Sequence, residues 1–394
     1  MATERSIGSS GERDLRLDFF RGLGLLFIFL DHIPENIISY FTLANVAFCD
    51  AAELFVFISG FSAALVFGRI MLQQGIAFAA VQILKRCWTL YVAHIFLFVI
   101  FIAQVSYTAA RFDNPMFLDE MKVADFLQEP HIAVLKAVVL QFQPEFMDIL
   151  PLYIVLLLGF AVALPLLRSW PTLVVGLSIA LYVAAAIFHF NLKTYPNGVW
   201  YFNPFAWQIV FVLGAAFSLR RLEGAPHILS PRLIWLSGGF LAVTFVIRSA
   251  MTAHYLLSGS DLPPSLVEAI WTIGDKTNLG PLRLLNFLAL AHVTVTLVRR
   301  DHPIFSSAAA EPVIICGQHS LNIFCLGIFL SVVSHFILSE IDSTLLTQVA
   351  VSGGGILVMF ASAYFLSWSK QRRRPAAPRA ITSTPPRTAV QGGE

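Results

Sequence analysis

The stretch Asp18-Phe19-Phe20-Arg21-Gly22-Leu23-Gly24-Leu25-Leu26-Phe27-Ile28-Phe29-Leu30-Asp31-His32-Ile33-Pro34-Glu35-Asn36 decides the class of this chain. An arginine stands near one end, an Asp-His pair near the other, and the residues between are apolar. On a helix with ~1.5 Å rise and ~100° per residue, Arg21 and His32 lie ~16 Å apart along the axis and about 20° apart around it. They therefore share a face. Each ionisable group at depth costs roughly 2.5–3.5 kcal/mol to insert into a bilayer, so a span that keeps several needs a reason. A histidine moves protons near neutral pH, and the spacing places this one well inside a membrane helix.

The rest of the chain agrees with a membrane setting. Hydrophobic residues make up 57% of it, charged residues 13%, and the mean hydropathy is +0.73. Apolar runs of roughly the length needed to cross a ~30 Å hydrocarbon core recur. They fall near 19–40, 51–71, 86–106, 148–167, 171–190, 203–219, 232–252, 281–298, 313–338 and 344–368. The expected fold is an all-α polytopic membrane helix bundle with about ten transmembrane helices. No internal repeat or soluble domain is visible. With the N-terminus in the cytoplasm, the inner segments collect Arg5, Arg13 and Arg16, then Arg69, Lys85 and Arg86, then Arg168, Arg220, Arg221 and Arg232. Arg299 and Arg300 follow, and the C-terminal Lys370 to Arg387 cluster completes the set. This inside excess is the pattern for both termini in the cytoplasm. The net charge of +2 thus reports topology, and no nucleic-acid partner is expected.

The expected organisation is a cytoplasmic tail over 1–18, a transmembrane domain over 19–368 and a disordered basic tail over 369–394. The first run is preceded by arginines but lacks a small-x-small cleavage site, and reads as a retained helix. Cys49, Cys87, Cys316 and Cys325 show no CxxC spacing and read as buried small hydrophobes. Outer loops are expected near 107–147, 188–204 and 253–280; the first two are longer than connectors require, and long ordered loops usually have work to do.

Asp50 and Glu53 open the second run one turn apart. They make an ordinary acidic first turn, favoured by the helix dipole. They also stand where a helix returning from outside meets His32, so that Glu53, Asp31 or Asp50 orients the imidazole. Asp18, one turn from Arg21, can pair with it. Gly60 reads as close helix packing. Asp50, Ser59, Asn203, Trp207, Gln208 and His319 are candidates for holding substrate, each with interhelical hydrogen bonding as its ordinary alternative. The aromatics between Phe188 and Trp207 suit an interfacial belt or sugar stacking. Arg13, Arg16, Arg69 and Arg86 form a cationic cytoplasmic rim suited to phosphates. There is no serine elbow, Walker loop, HExxH or metal-ligand cluster, so no metal is expected. An enzyme here must use histidine acid–base or acyl-transfer chemistry, with arginine for an anionic partner.

At these residues the chain resembles the OpgC family of membrane acyltransferases, which succinylate osmoregulated periplasmic glucans. That family sits among the acyltransferase-three-type transmembrane acyltransferases. The likeness runs from about 13 to 368. It is most specific in Arg13–Gly22, Asp31–Asn36 and Asp50–Phe61, with Asn203-Pro204-Phe205-Ala206-Trp207-Gln208 also fitting. The family's Arg-x10-His spacing falls on Arg21 and His32. The resemblance implies a multi-pass bacterial inner-membrane enzyme. Its donor would be cytoplasmic succinyl-CoA or another acyl-CoA, and its acceptor a periplasmic glucan, with no permanently bound cofactor. The catalytic set would be His32, Arg21, Glu53 and Asp31. A homodimer is allowed. The competing class is a transporter or flippase with a His/acid proton relay, but paired Gly/Pro-broken helices in matching halves are not visible. A sensor without chemistry leaves His32 unexplained.

Overall fold

In the computed structural model, residues 14–222, 231–258 and 263–372 are described. Ten long helices organise them: α1 Leu15–Asp31, α2 Ala51–Gln74, α3 Ile76–Phe112, α4 Ile149–Ser169 and α5 Pro171–Phe188. The others are α6 Pro204–Leu222, α7 Pro231–Ser258, α8 Pro281–Leu297, α9 Ser320–Glu340 and α10 Leu345–Arg372. Among the described residues there is no strand, only an isolated bridge between Lys193 and Val199. Seven helices (α2, α3, α4, α5, α7, α9 and α10) are long and apolar enough to cross a membrane, and α6 and α8 are shorter apolar helices. The first helix has 17 residues and keeps Arg16, Asp18, Arg21 and Asp31. The fold is an all-helical polytopic bundle.

Local chemistry sets the helix ends. The side chain of Asp14 caps α1, accepting from the Arg16 amide at 3.2 Å. That helix stops at Asp31 rather than running to residue 40, because Pro34 disfavours helical geometry at the residue before it. A short 3-10 turn, Ile37–Phe41, follows. His32 is therefore the C-cap of α1 and not an interior helical residue. Asp50 and Glu53 form a reciprocal capping box at the start of α2. Gly75, at φ +87°, ends that helix. The apolar run expected at 313–338 is broken at His319 into Glu311–Gln318 and α9. The expected tails fall largely outside the described residues, at 1–13 and 373–394.

Two backbone-to-backbone crossings hold the bundle. A Cβ on Gly60 would lie 2.0 Å from the Phe211 carbonyl oxygen, and one on Gly214 2.2 Å from that of Phe57, so α2 and α6 touch through glycine. Gly22 and Gly317 do the same for α1 and Glu311–Gln318, with Cβ approaches of 1.9 Å to Val313 O and 1.8 Å to Asp18 O. Without a hydrophobic drive between helices in lipid, such close approach supplies the association. Large side chains including Phe29, Phe101, Trp207, Phe211 and Phe287 fill the interior. Trp235, Leu236 and Leu257 on α7 stay exposed, where lipid would cover them.

The outer connections are folded. Short helices at Met116–Glu120, Ala124–Gln128 and Pro130–Val138 follow α3. Glu120 meets His335 of α9 at 3.1 Å, and Lys122 pairs with Glu145 at 2.6 Å. The Tyr195 amide and the Thr194 hydroxyl both donate to the Gln141 carbonyl, joining the 188–204 segment to this cap.

Candidate active site

Where α1 ends, a cavity of about 920 Å³ opens, counting its mouth. Asp31, His32, Asp50, Glu145, Phe146, Asp148, Tyr201, Phe202 and Lys276 contribute to its wall. These come from the connections after α1, before α4, before α6 and before α8, all of which the charge pattern assigns to the outside. His32 is half-buried. Its Nδ1 lies 2.5 Å from the Ile28 carbonyl oxygen. A carbonyl can only accept, so Nδ1 carries the proton and Nε2 keeps its lone pair. The Phe146 ring meets the imidazole edge-on, with centroids 4.5 Å apart. The imidazole is thus oriented by the backbone of its own helix and not by a carboxylate.

The expected carboxylate partners are engaged elsewhere. Thr42 Oγ1 donates to Asp31 at 2.5 Å. Glu53, fully buried, accepts from Arg283 Nε at 2.7 Å and from the Asp50 amide at 2.9 Å. Asp50 pairs with Lys276 at 2.7 Å and Arg283 at 3.0 Å. Arg283 sits in the first turn of α8, so the four-member network ties α2 to α8 and to the loop before it. Burial works against the Lys276 ammonium, but Asp50 and Tyr201 together outweigh it, and its pKa is held above the usual lysine value.

A second cavity, about 790 Å³, lies further along α1 toward its N-terminus. Arg21, Ser59, Ser62, Arg86, Tyr153 and Ser320 contribute to its wall. Arg21 donates to Ser62 Oγ at 2.5 Å and stands 3.5 Å from Asp18. Arg21 and His32 therefore line two different cavities. Phe324 of α9, 3% exposed, belongs to the wall of both. Its ring centroid lies 6.2 Å from that of Phe55, which in turn lies 6.4 Å from Tyr153. Phe324 thus stands in the wall shared by an inner chamber and an outer one.

The remaining sequence candidates fall in different places. Ser59 lines the inner chamber, Asp50 the outer one. Asn203, Trp207 and Gln208 line neither chamber. Gln208 is hydrogen-bonded to Ser178. Trp207 Nε1 donates to the Lys276 and Thr277 carbonyls at 3.0 and 3.2 Å. The Asn203 amide donates to Thr277 O, and its side chain to Asn278. The Asn203–Trp207 motif is the scaffold of the loop that presents Lys276. His319 shares a hydrogen bond with Ser367 at 3.0 Å. Arg86 reaches the inner chamber, whereas Arg69 is exposed and outside it. Arg16 binds Asp14 and the Val298 carbonyl and borders a separate apolar cleft. Arg13 lies outside the described residues.

Lys276, Phe146, Tyr201 and Phe324 were not singled out as site residues by their spacing, since each arrives from a distant segment. Arg283 had a readable signal: an arginine and a glutamate in separate apolar runs, neither with a partner nearby in sequence, are natural partners for each other. Among the described residues no group of three or more His, Cys, Asp or Glu is placed to hold a metal ion.

A family model described as OpgC protein matches residues 13–371. No curated protein and no solved structure matches the chain. The matched segment takes in both chambers and every long helix short of the last residue of α10; this chain belongs to the OpgC family.

Proposed function

We propose that this protein is an inner-membrane O-acyltransferase. It would move an acyl group, succinyl, from cytoplasmic acyl-CoA to a hydroxyl of a periplasmic glucan. The observation that carries the proposal is His32 in the wall of the outer chamber, with its Nδ1 proton held by the Ile28 carbonyl, so that the neutral ring keeps Nε2 as a base. The inner chamber, with Arg21 and Arg86, suits the phosphates and thioester arm of CoA. The outer one offers carboxylates for sugar hydroxyls and the rings of Phe146, Tyr201 and Phe202 for stacking.

The thioester arm passes Phe324, so that the acyl carbonyl lies against His32. Nε2 takes the proton of a sugar hydroxyl as the hydroxyl oxygen attacks the carbonyl carbon. The C–O bond forms, the C–S bond breaks, and the proton passes from the imidazolium to the departing CoA thiolate. A positioned base contributes typically ~10²–10⁴-fold to such a step. In this reading Arg21 serves the donor rather than the imidazole.

The acid-rich surroundings of His32 also suit a proton relay in a transporter. Mass spectrometry of periplasmic glycans from a strain lacking the gene separates the two. Acyl transfer predicts loss of succinyl esters, restored by the wild-type gene and not by His32→Ala. Unchanged decoration contradicts acyl transfer and leaves transport.

A further inference from the structure

The direction of donor entry fixes what the outer chamber must read. An acyl-CoA that arrives through the inner chamber leads with its acyl end, so the tail beyond the thioester carbonyl enters the outer chamber past His32. Carboxyl groups dominate the wall there: Asp31, Asp148, Glu145, which Lys122 meets from outside the wall at 2.6 Å, and Asp50, which Arg283 meets at 3.0 Å. A neutral acyl tail meets no electrostatic obstacle among them. A tail that ends in its own carboxylate does, unless it finds a cation. Among the described residues of that wall, Lys276 supplies the sole lysine or arginine side chain.

Lys276 is built for contact with a ligand. Its backbone is pinned by Trp207 and by the Asn203 amide bond to the next carbonyl, and Asp275 closes the turn by accepting from the Thr277 and Asn278 amides. The side chain lies over Tyr201 and Phe202, with Nζ 5.7 Å from each ring centroid. One N–H of the ammonium goes to Asp50 at 2.7 Å, and a lysine has three. The side chain is 31% exposed, against 9% for Arg283 on the same carboxylate. Arg283 and the Ala52 amide hold Asp50 from the protein side, which leaves Lys276 able to turn toward an incoming anion.

We propose that Lys276 binds the far carboxylate of a dicarboxylic acyl group while the thioester carbonyl lies against His32, and so sets the donor's acyl specificity. This rests on the acyltransferase reading above. A charge-assisted hydrogen bond is worth about 1.5–3 kcal/mol, so its loss predicts roughly ten- to hundred-fold in kcat/KM for such a donor.

The test is a donor series on purified full-length protein with a glucan acceptor: succinyl-CoA, its distal methyl ester, and acetyl-CoA. Wild type should prefer succinyl-CoA over the methyl ester by roughly ten-fold or more. Lys276→Met should erase that preference, and Lys276→Arg should retain much of it. Equal use of succinyl-CoA and its ester by wild type overturns the proposal whether or not the variants fold. A Lys276→Met enzyme that keeps the wild-type ratio, or loses all three donors in equal proportion, also overturns it. Wild type transferring nothing from any of the three contradicts the acyltransferase reading itself, a result distinct from transfer without selectivity.

Discussion

Replacing Glu53 with Gln separates a structural role from a catalytic one. Glu53 is fully buried, with one oxygen 2.7 Å from Arg283 Nε and the other 2.9 Å from the Asp50 amide. Both neighbours are donors. A glutamine keeps one acceptor oxygen and must present its NH₂ to the other donor, so one contact becomes a donor–donor clash. Removing one partner of a buried ion pair costs about 3–5 kcal/mol. Arg283 keeps Asp50 at 3.0 Å, so the lower end, about 3 kcal/mol, applies. For a chain longer than the usual domain this corresponds to a melting point lower by about 5 °C. The assay is thermal unfolding of the purified protein in lipid nanodiscs, with turnover measured well below the transition. Adding Arg283→Met to Glu53→Gln should cost less than the two changes summed, because the members share one network. A Glu53→Gln protein that melts like wild type while turnover falls a hundred-fold would refute the reasoning and return Glu53 to the imidazole.

Phe324→Ala should join the two chambers and admit water to the thioester, raising CoA release in the absence of acceptor; unchanged acceptor-free hydrolysis would show that another group forms the partition. Arg86→Ala should raise the apparent KM for acyl-CoA, whereas Arg69→Ala, exposed and outside the inner chamber, should not, and equal effects would place the donor elsewhere. Gly214→Ala puts a methyl 2.2 Å from the Phe57 carbonyl oxygen, while Gly159→Ala meets nothing within 4 Å. The first should deplete folded protein on size-exclusion chromatography and the second should not.

Much of the architecture was readable because lipid imposes a simple rule. A helix must satisfy its own backbone, so long apolar runs become helices. Where the reading slipped, local chemistry won. Pro34 ended α1 early and turned His32 from a mid-helix residue into a cap. The pairing of Asp18 with Arg21 and the packing role of Gly60 followed from spacing on one helix. The chamber walls did not, because Phe146, Tyr201, Lys276 and Phe324 join His32 in one wall from four separate segments. The Asn203–Trp207 motif was visible but its task was not, since its partners are the backbone carbonyls of Lys276 and Thr277. Sequence periodicity reports which face a residue occupies and says nothing of which carbonyl it will meet.

The central claim is transfer across the membrane through His32, from a donor on the inside to an acceptor on the outside. Inside-out membrane vesicles carrying the protein, with glucan sealed in the lumen and isotope-labelled succinyl-CoA supplied outside, test it directly. The account predicts label on the luminal glucan with wild-type protein and none with His32→Gln, whose amide can hydrogen-bond but cannot take the proton. Labelling at the wild-type rate by His32→Gln would contradict it.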